Sequence, residues 1–427
     1  MPGPLAGVKV FEVSQIVAGP YCGLNLADLG ADVIKVEPPG GEGSRAAGAV
    51  VPGESKGFHA LNRGKRSLVV DLSHPDGQAL VHRIIPGFDV FTINARPGVP
   101  ERLRVDYDTL RQFRPDIIHL ENSGFGNDGP SKTRSGSDAV AQAYSGLLAG
   151  DGKVDQFGAP EIISATAPAD FQAGLAGTMA ICAALFHRAM TGEGQAIETS
   201  LLMAGLAMQG FRVSQSPALD AFTQDIALRK MYEVKEAGGS YKEQIDARGG
   251  IHDQMGRAAA RLFYGGYAVK DGGIILGALT PRNRDQMRRV IGIEDDPTNT
   301  PDFDSNDPES RKLVDMMLDK VRGIMLTKTM DEWIELFEAE GAPCSKVNFP
   351  EEMADDPQVE AMGYMLDMEH ELTGPERLVG PIVNMSRTPT GSPLNSPPLG
   401  KHTDEVLHEH GVTDPEIAAL RESGAIA

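Results

Sequence analysis

An α/β fold carrying a parallel sheet is what this sequence predicts, on three observations. Over the first 125 residues, short β-branched runs alternate with stretches of helical period. The helical stretches are punctuated as helices should be, with Pro20 suited to a first turn and Gly30 to a stop. The length, 427 residues, exceeds the size at which a single core stops growing, so a second, smaller domain is expected.

In order, VKVFEV (8–13) reads as a strand, AGPYCGLNLADLG (18–30) as a helix and DVIKVE (32–37) as the next strand. SLVVDL (67–72), FDVFTI (88–93) and DIIHLE (116–121) are further strands. HPDGQALVHRII (74–85) and VPERLRVDYDTLRQF (99–113) are the helical segments between them. That order is Rossmann-like. The dinucleotide fingerprint GxGxxG is missing after the first strand, where SQIVAGPYCG (14–23) stands, so NAD is a poor match. A helix entered through Ala18-Gly19-Pro20 can still offer free N–H groups to an anion.

PADFQAGLAGTMAICAALF (168–186) has helical spacing, and Gly174 and Gly177 inside it predict close approach by another element. From 209 to 266 the pattern loosens into a linker or crossover. YAVKDGGIILGAL (267–279) reads as a hairpin turning at Asp271-Gly272-Gly273 and opening the small domain. Helices follow around 282–291, 310–326 and 330–340, separated by an acidic, Pro-rich loop, EDDPTNTPDFDSNDPES (294–310). The tail holds two short helices with acidic first turns.

A formal net charge of −20 argues against nucleic acid or an anionic membrane as partner, because both require a basic surface. The N-terminus has neither a basic n-region nor a long apolar one, and the window LLMAGLAMQGF (201–211) is too short to span a bilayer. Three widely spaced cysteines, Cys22, Cys182 and Cys344, suit a reducing compartment, so a cytoplasmic location is expected. His408 and His410 are two apart, do not share a helical face and do not suggest a metal site. Any anionic ligand must meet a local basic patch, and LNRGKRSLVVDL supplies Arg63, Lys65 and Arg66.

Asp170 falls at the mouth of its helix. It can be an N-cap, worth about 1 kcal/mol. Alternatively, a carboxylate held at a helix N-terminus can attack an activated acyl group beside N–H groups that steady the oxyanion, and an ionised carboxylate needs no base to activate it.

Five segments in order, LAGVKVFEVSQIVAGPYCGLNLADLGADVIKVEPPGG, NRGKRSLVVDL, SGFGNDGP, APADFQAGLAGTMAICAALFHRAMTGEGQAIETSLL and PLGKHTDEVL, resemble the class III CoA-transferase family, which includes alpha-methylacyl-CoA racemase. The resemblance runs from Leu5 to the C-terminus and is weakest between 209 and 264. It implies an interlocked homodimer, each protomer a large Rossmann-like CoA-binding domain (1–208 and 385–427) joined through 209–266 to a smaller α+β domain (267–384). It implies that Asp170 is the catalytic carboxylate, forming a mixed anhydride and then an aspartyl-CoA thioester. It places Lys65, Arg66, Asn94, Arg102 and Leu103 near the nucleotide portion of CoA, and Val17 and Ala18 along the pantetheine path. Phe125 and Gly126 of SGFGNDGP join the CoA-binding set, Arg45 is a further candidate, and Pro38 stands where some members carry a nucleotide-holding arginine. CoA is then a substrate handle, with acyl-CoA and a small carboxylic acid as partners; no separate cofactor and no metal are expected.

Racemases of the family exchange a proton alpha to the thioester using a histidine in a GHD motif together with the aspartate. Here the motif reads SGSD, with Ser137 in the histidine's place, which favours transfer. The alternatives are racemase-type proton exchange and a CoA-binding protein without catalysis. The glycine-rich loop that covers the aspartate in formyl-CoA transferases has no obvious counterpart; EAGGSYKEQ, ARGGIHDQ and YGGYAVKDGG are candidates, and Tyr264, Gly265 and Gly266 are chosen.

Overall fold

The computed structural model describes residues 2–221, 224–250, 258–300, 302–304 and 307–427. Contacts divide the chain into a large unit, Met1–Asp151, Ile162–Val213 and Pro357–Ala427, and a small one, Gly152–Glu161 and Ser214–Asp356.

The large unit is organised by a six-stranded sheet of β1 (Lys9–Val13), β2 (Asp32–Glu37), β3 (Lys65–Val69), β4 (Val90–Ile93), β5 (Ile118–Ser123) and β6 (Ala196–Ser200). Their spatial order is β3-β2-β1-β4-β5-β6, and every neighbouring pair is parallel. The connecting helices are α1 (Ala18–Asp28), α2 (Lys56–Asn62), α3 (Pro75–Ile84), α4 (Val99–Leu103), α5 (Tyr107–Leu110), α6 (Asp138–Tyr144), α7 (Leu147–Asp151) and α8 (Pro168–Thr191); α9 (Leu201–Met208) follows β6.

Both faces of the sheet are covered, as a parallel sheet requires. Phe11, Ile34, Leu68 and Phe91 point to one side, where they meet Leu80, Val81 and Ile84 of α3 and Val406, Leu407 and Ile417 of the C-terminal tail. Their strand neighbours Val10, Val33 and Val90 point to the other, against Cys22 and Leu26 of α1 and Ile181 and Ala184 of α8. The close approach foreshadowed by Gly174 and Gly177 is made by α1. A Cβ on Gly174 would sit 2.7 Å from the Ala18 carbonyl oxygen, and one on Gly177 would sit 3.2 Å from Cys22 Sγ. α8 is also long and apolar enough by composition to cross a membrane, a property that the 201–211 window did not reveal.

The small unit carries an antiparallel sheet, β7 (Tyr264–Val269), β8 (Gly272–Gly277) and β9 (Cys344–Lys346). Its core gathers Met287, Val314, Val321, Trp333 and Phe337 from the helices Pro281–Ile291, Pro308–Met325 and Met330–Glu340.

Several boundaries differ from expectation. Helix 99–113 is two short helices, because Arg104 adopts a left-handed conformation (φ 56°) that ends the first. The edge strand β6 was not foreseen. The hairpin turns at Lys270-Asp271, with Gly272 already in β8. Much of 209–266 is helical, Gln224–Glu236 and Tyr241–Arg248 among it, while 222–223 and 251–257 lie outside the described residues. The hairpin of β10 (Met365–His370) and β11 (Gly374–Val379), expected in the small domain, belongs to the large unit. There Glu376 Oε2 lies 2.9 Å from His59 Nδ1 of α2, and His370 Nε2 lies 3.1 Å from the Ser396 carbonyl.

Candidate functional site

The strand order leaves one topological switch point, between β1 and β4, where the chain leaves in opposite directions and a crevice must open at the carboxyl ends of the strands. A cavity of about 240 Å³ lies there. It is walled by the segments after β1 (15–18) and β4 (94–96), by the end of β5 with the residue that follows it (122–124), by Gly136, Ser137 and Asp138 at the start of α6, by Leu201 and by Asp170. Gly124 and Gly136 let two of these loops cross, since a Cβ on Gly124 would sit 2.9 Å from Gly136 Cα.

Asp170 is the third residue of α8 and is not its cap. Asp138 takes that role from α6. Its Oδ1 accepts the N–H groups of Ala169 (2.8 Å) and Asp170 (3.2 Å), and its Oδ2 accepts from Gln142 Nε2. Pro168 has no N–H, and Phe171 N–H donates to Ala167 O at 2.9 Å. The first-turn amides of α8 are therefore committed and do not form the oxyanion site that the sequence suggested. Burial, with the Asp138 carboxylate beside it, pushes the Asp170 carboxyl up to about 7. The ionised form expected at neutral pH is therefore less favoured at Asp170 than at a free carboxylate.

The other wall is held from behind. Glu12, Lys35 and Lys65 are 0%, 0% and 1% exposed. Lys65 Nζ donates to Glu12 Oε1 (3.0 Å), Pro20 O (2.8 Å) and Asn62 Oδ1 (2.9 Å), which uses all three of its protons. Burial pulls its ammonium down to about 8. Lys35 Nζ donates to Ser14 O (3.0 Å), and Glu42 Oε2 accepts the Ile16 N–H (3.1 Å). Between these anchors Ile16 is held at φ 68°, a conformation a β-branched residue avoids unless its surroundings impose it.

Of the residues assigned to CoA, Val17, Ala18 and Asn94 line the cavity. Val17 caps α1 without a side-chain bond. Asn94 gives its amide to the backbone of Gln15, accepting from its N–H and donating to its carbonyl, each at 2.8 Å, and so ties the two loops of the switch point together. Lys65 is corrected from nucleotide ligand to buried support. Arg66 is likewise occupied, by Asp32, Glu405 and Glu409. Arg45 is buried too, bidentate to Glu37 at 2.8 Å and stacked 3.7 Å over Phe58. Arg102 is exposed on α4 and Leu103 packs against the core. Phe125 is buried against Tyr144, and Gly126 (φ 95°) makes the turn after β5, its N–H donating to Ser123 Oγ. None of these last four lines the cavity. Tyr264, Gly265 and Gly266 are strand residues of β7, paired with Gly277, Leu276 and Ile275, rather than a loop; part of ARGGIHDQ lies outside the described residues.

Sequence reasoning missed Arg96, an exposed cation on the cavity wall with no side-chain partner among the described residues, because the tighter cluster at 63–66 outweighed it. It missed Asp138 as well, whose partners lie 31 and 32 residues along the chain. One mixed cluster elsewhere, Glu54, His59 and His370, brings ligand-type atoms within 4.8 Å of one another. It is self-satisfied. His370 Nδ1 accepts from the N–H groups of Leu372 and Thr373, which leaves its proton on Nε2, facing Ser396 O, while both nitrogens of His59 face carboxylates.

The family model for CoA-transferase family III matches residues 5–403. The chain belongs to this family. A succinate–glutarate CoA-transferase from Agrobacterium fabrum is 33% identical over 95% of this chain and 95% of its own length. The human succinyl-CoA:glutarate CoA-transferase is 31% identical, over 95% of this chain and 86% of its own. A formyl-CoA:oxalate CoA-transferase from Rhodopseudomonas palustris is 28% identical, over 100% and 98%. The crystal structure of a CAIB/BAIF family protein from Brucella suis superposes with TM-score 0.73 at 27% identity, covering 96% of this chain and 100% of that one. This class III CoA-transferase therefore shares its α/β architecture and its activity class with proteins matched along almost their whole length.

Proposed function

We propose that this CoA-transferase moves CoA from an acyl-CoA thioester to a free carboxylic acid through covalent intermediates on Asp170. One observation carries the reading: a part-buried carboxylate with no partner of its own among the described residues faces a cavity at the switch point of the sheet. In its ionised form Asp170 attacks the thioester carbonyl, the C–S bond breaks, and CoA thiolate leaves an acyl-aspartyl anhydride. The thiolate then attacks the Asp170 carbonyl, releasing the donor acid and giving the aspartyl-CoA thioester. An acceptor carboxylate reverses both steps. No net proton is consumed, so the site needs no second acid or base, and its lining has no histidine.

Arg96 is the cation available to the anionic part of CoA. CoA serves as substrate; the reading needs no other cofactor and no metal. Since the relatives above are named for succinate, glutarate and oxalate, dicarboxylic acids are the proposed acyl donors and acceptors. A homodimer is part of the reading, supported by the apolar surface that α8 leaves exposed at Met179, Phe186 and Met190; sedimentation gives the mass. Racemase-type exchange would wash solvent deuterium into the alpha carbon. The test is hydroxylamine treatment during turnover with succinyl-CoA. Inactivation that maps to Asp170 is expected; full activity after treatment contradicts the reading.

A further inference from the structure

On one face of β5 the residues before Asn122 are apolar and buried, Ile118 and Leu120 being 0% and 1% exposed. Asn122 continues this buried run at 6% exposure, yet its side-chain amide has no hydrogen-bond partner among the described residues. It lines the cavity that Asp170 faces. With its side chain buried to this extent and its amide open only to the cavity, Asn122 holds a polar group where a leucine or valine would continue the apolar face. Nothing in the fold uses the polarity of this side chain, so a ligand is its natural partner.

The surrounding groups indicate what kind. Besides Asp170, polar side chains of the wall without a hydrogen bond among the described residues include the Arg96 guanidinium, the Ser137 hydroxyl, which makes no cap bond, and the Gln15 and Asn122 amides. Asn94 is spent on Gln15, and Asp138 on the start of α8. The free groups are mostly hydrogen-bond donors, a set matched to oxygen atoms.

We infer that Asn122 is a specificity-determining residue whose side-chain amide hydrogen-bonds an oxygen substituent, a carboxylate or hydroxyl, on the acyl chain bound beside Asp170. It selects polar short acyl groups over apolar chains of the same length. The inference rests on the transfer reading of Asp170 and adds the group that reads the substrate.

The test compares succinyl-CoA with pentanoyl-CoA, an apolar chain of similar length, using glutarate as acceptor and the full-length protein. The readout is the ratio of the two kcat/KM values, in which any misfolded fraction cancels. The wild type is expected to prefer succinyl-CoA, and Asn122→Leu to lower the ratio by about tenfold or more, since a site built around a hydrogen bond discriminates strongly against partners lacking it. Asn122→Asp, of nearly the same size but repelling a carboxylate, lowers it further. An unchanged ratio in both variants, or a wild-type preference for pentanoyl-CoA, overturns the inference while hydroxylamine-sensitive Asp170 labelling leaves the transfer reading standing. Failure of both thioesters to label Asp170 defeats the transfer reading and the inference together.

Discussion

On one side of the loop 14–17 lies a closed group of charges; on the other lies a cavity whose charges are left open. Glu12, Lys35, Lys65 and Glu42 are all buried, and both lysines are enclosed by carboxylates and carbonyls. In front of the loop, Asp170, Arg96 and Asn122 have polar atoms with no side-chain partner among the described residues. Both regions hold ionisable groups in a protein of strongly negative formal charge, and only the second holds some with neither a hydrogen bond nor an ion pair among the described residues. Burial of charge marks structure when each donor is met, and marks a site when it is not.

Breaking the open side should have the largest effect. Asp170→Asn is expected to lower CoA transfer by about a thousandfold or more, because no covalent intermediate can form, with an unchanged circular dichroism spectrum. Breaking the closed side should act on stability. Lys65→Met leaves Glu12 facing a lost counter-charge and is expected to cost about 3–5 kcal/mol in denaturant unfolding. If Lys65 were instead a nucleotide ligand, the same change would raise KM for CoA thioesters and leave the unfolding midpoint in place.

A smaller loss is expected where the two halves touch. Gly174→Ala puts a methyl group against the Ala18 carbonyl and should cost about 1–3 kcal/mol by overpacking α1 on α8, read as a lower Tm.

The subtlest comparison concerns protons. Because the Asp170 carboxyl is raised to about 7, kcat/KM should climb as pH rises through that value and level off above it. Asp138→Asn removes the neighbouring negative charge, so the acid limb should move to lower pH, while the amide still caps the helix through its carbonyl oxygen. The stability sign is opposite. A carboxyl raised above its unfolded value binds more protons when folded, so its contribution to stability falls as pH rises from about 4 through about 7. Asp170→Asn should therefore raise Tm at pH 8 and lose that advantage near pH 4, as measured by calorimetry.

Much of this was legible in the sequence because it is local. Val10-Phe11, Val33-Ile34 and Val90-Phe91 lie in β-branched runs whose strands could be named at once, and the spacing in 168–186 announced α8. Gly174 and Gly177 announced a close contact, though not its partner. What stayed hidden depends on the third dimension. Lys65 and Arg66 look the same on paper whether they face a phosphate or carboxylates 34 to 343 residues away. Asp138 is an ordinary first-turn residue of α6 until the start of α8 is laid against it. β6 is short and half exposed, so its pairing with β5 carries it more than its composition does. The place of Asp170 was readable through the family resemblance; its charge state was not, since burial and a neighbour from another helix set it.

The most direct measurement follows oxygen. If Asp170 carries the reaction as described, its carboxylate passes one oxygen to the released donor acid and takes one from the acceptor acid in each turnover. With heavy-oxygen-labelled glutarate and succinyl-CoA, the peptide containing Asp170 should gain heavy oxygen in a mass spectrum, and the released succinate should gain it on later turnovers. Transfer of CoA at full rate with no label in that peptide would contradict the account.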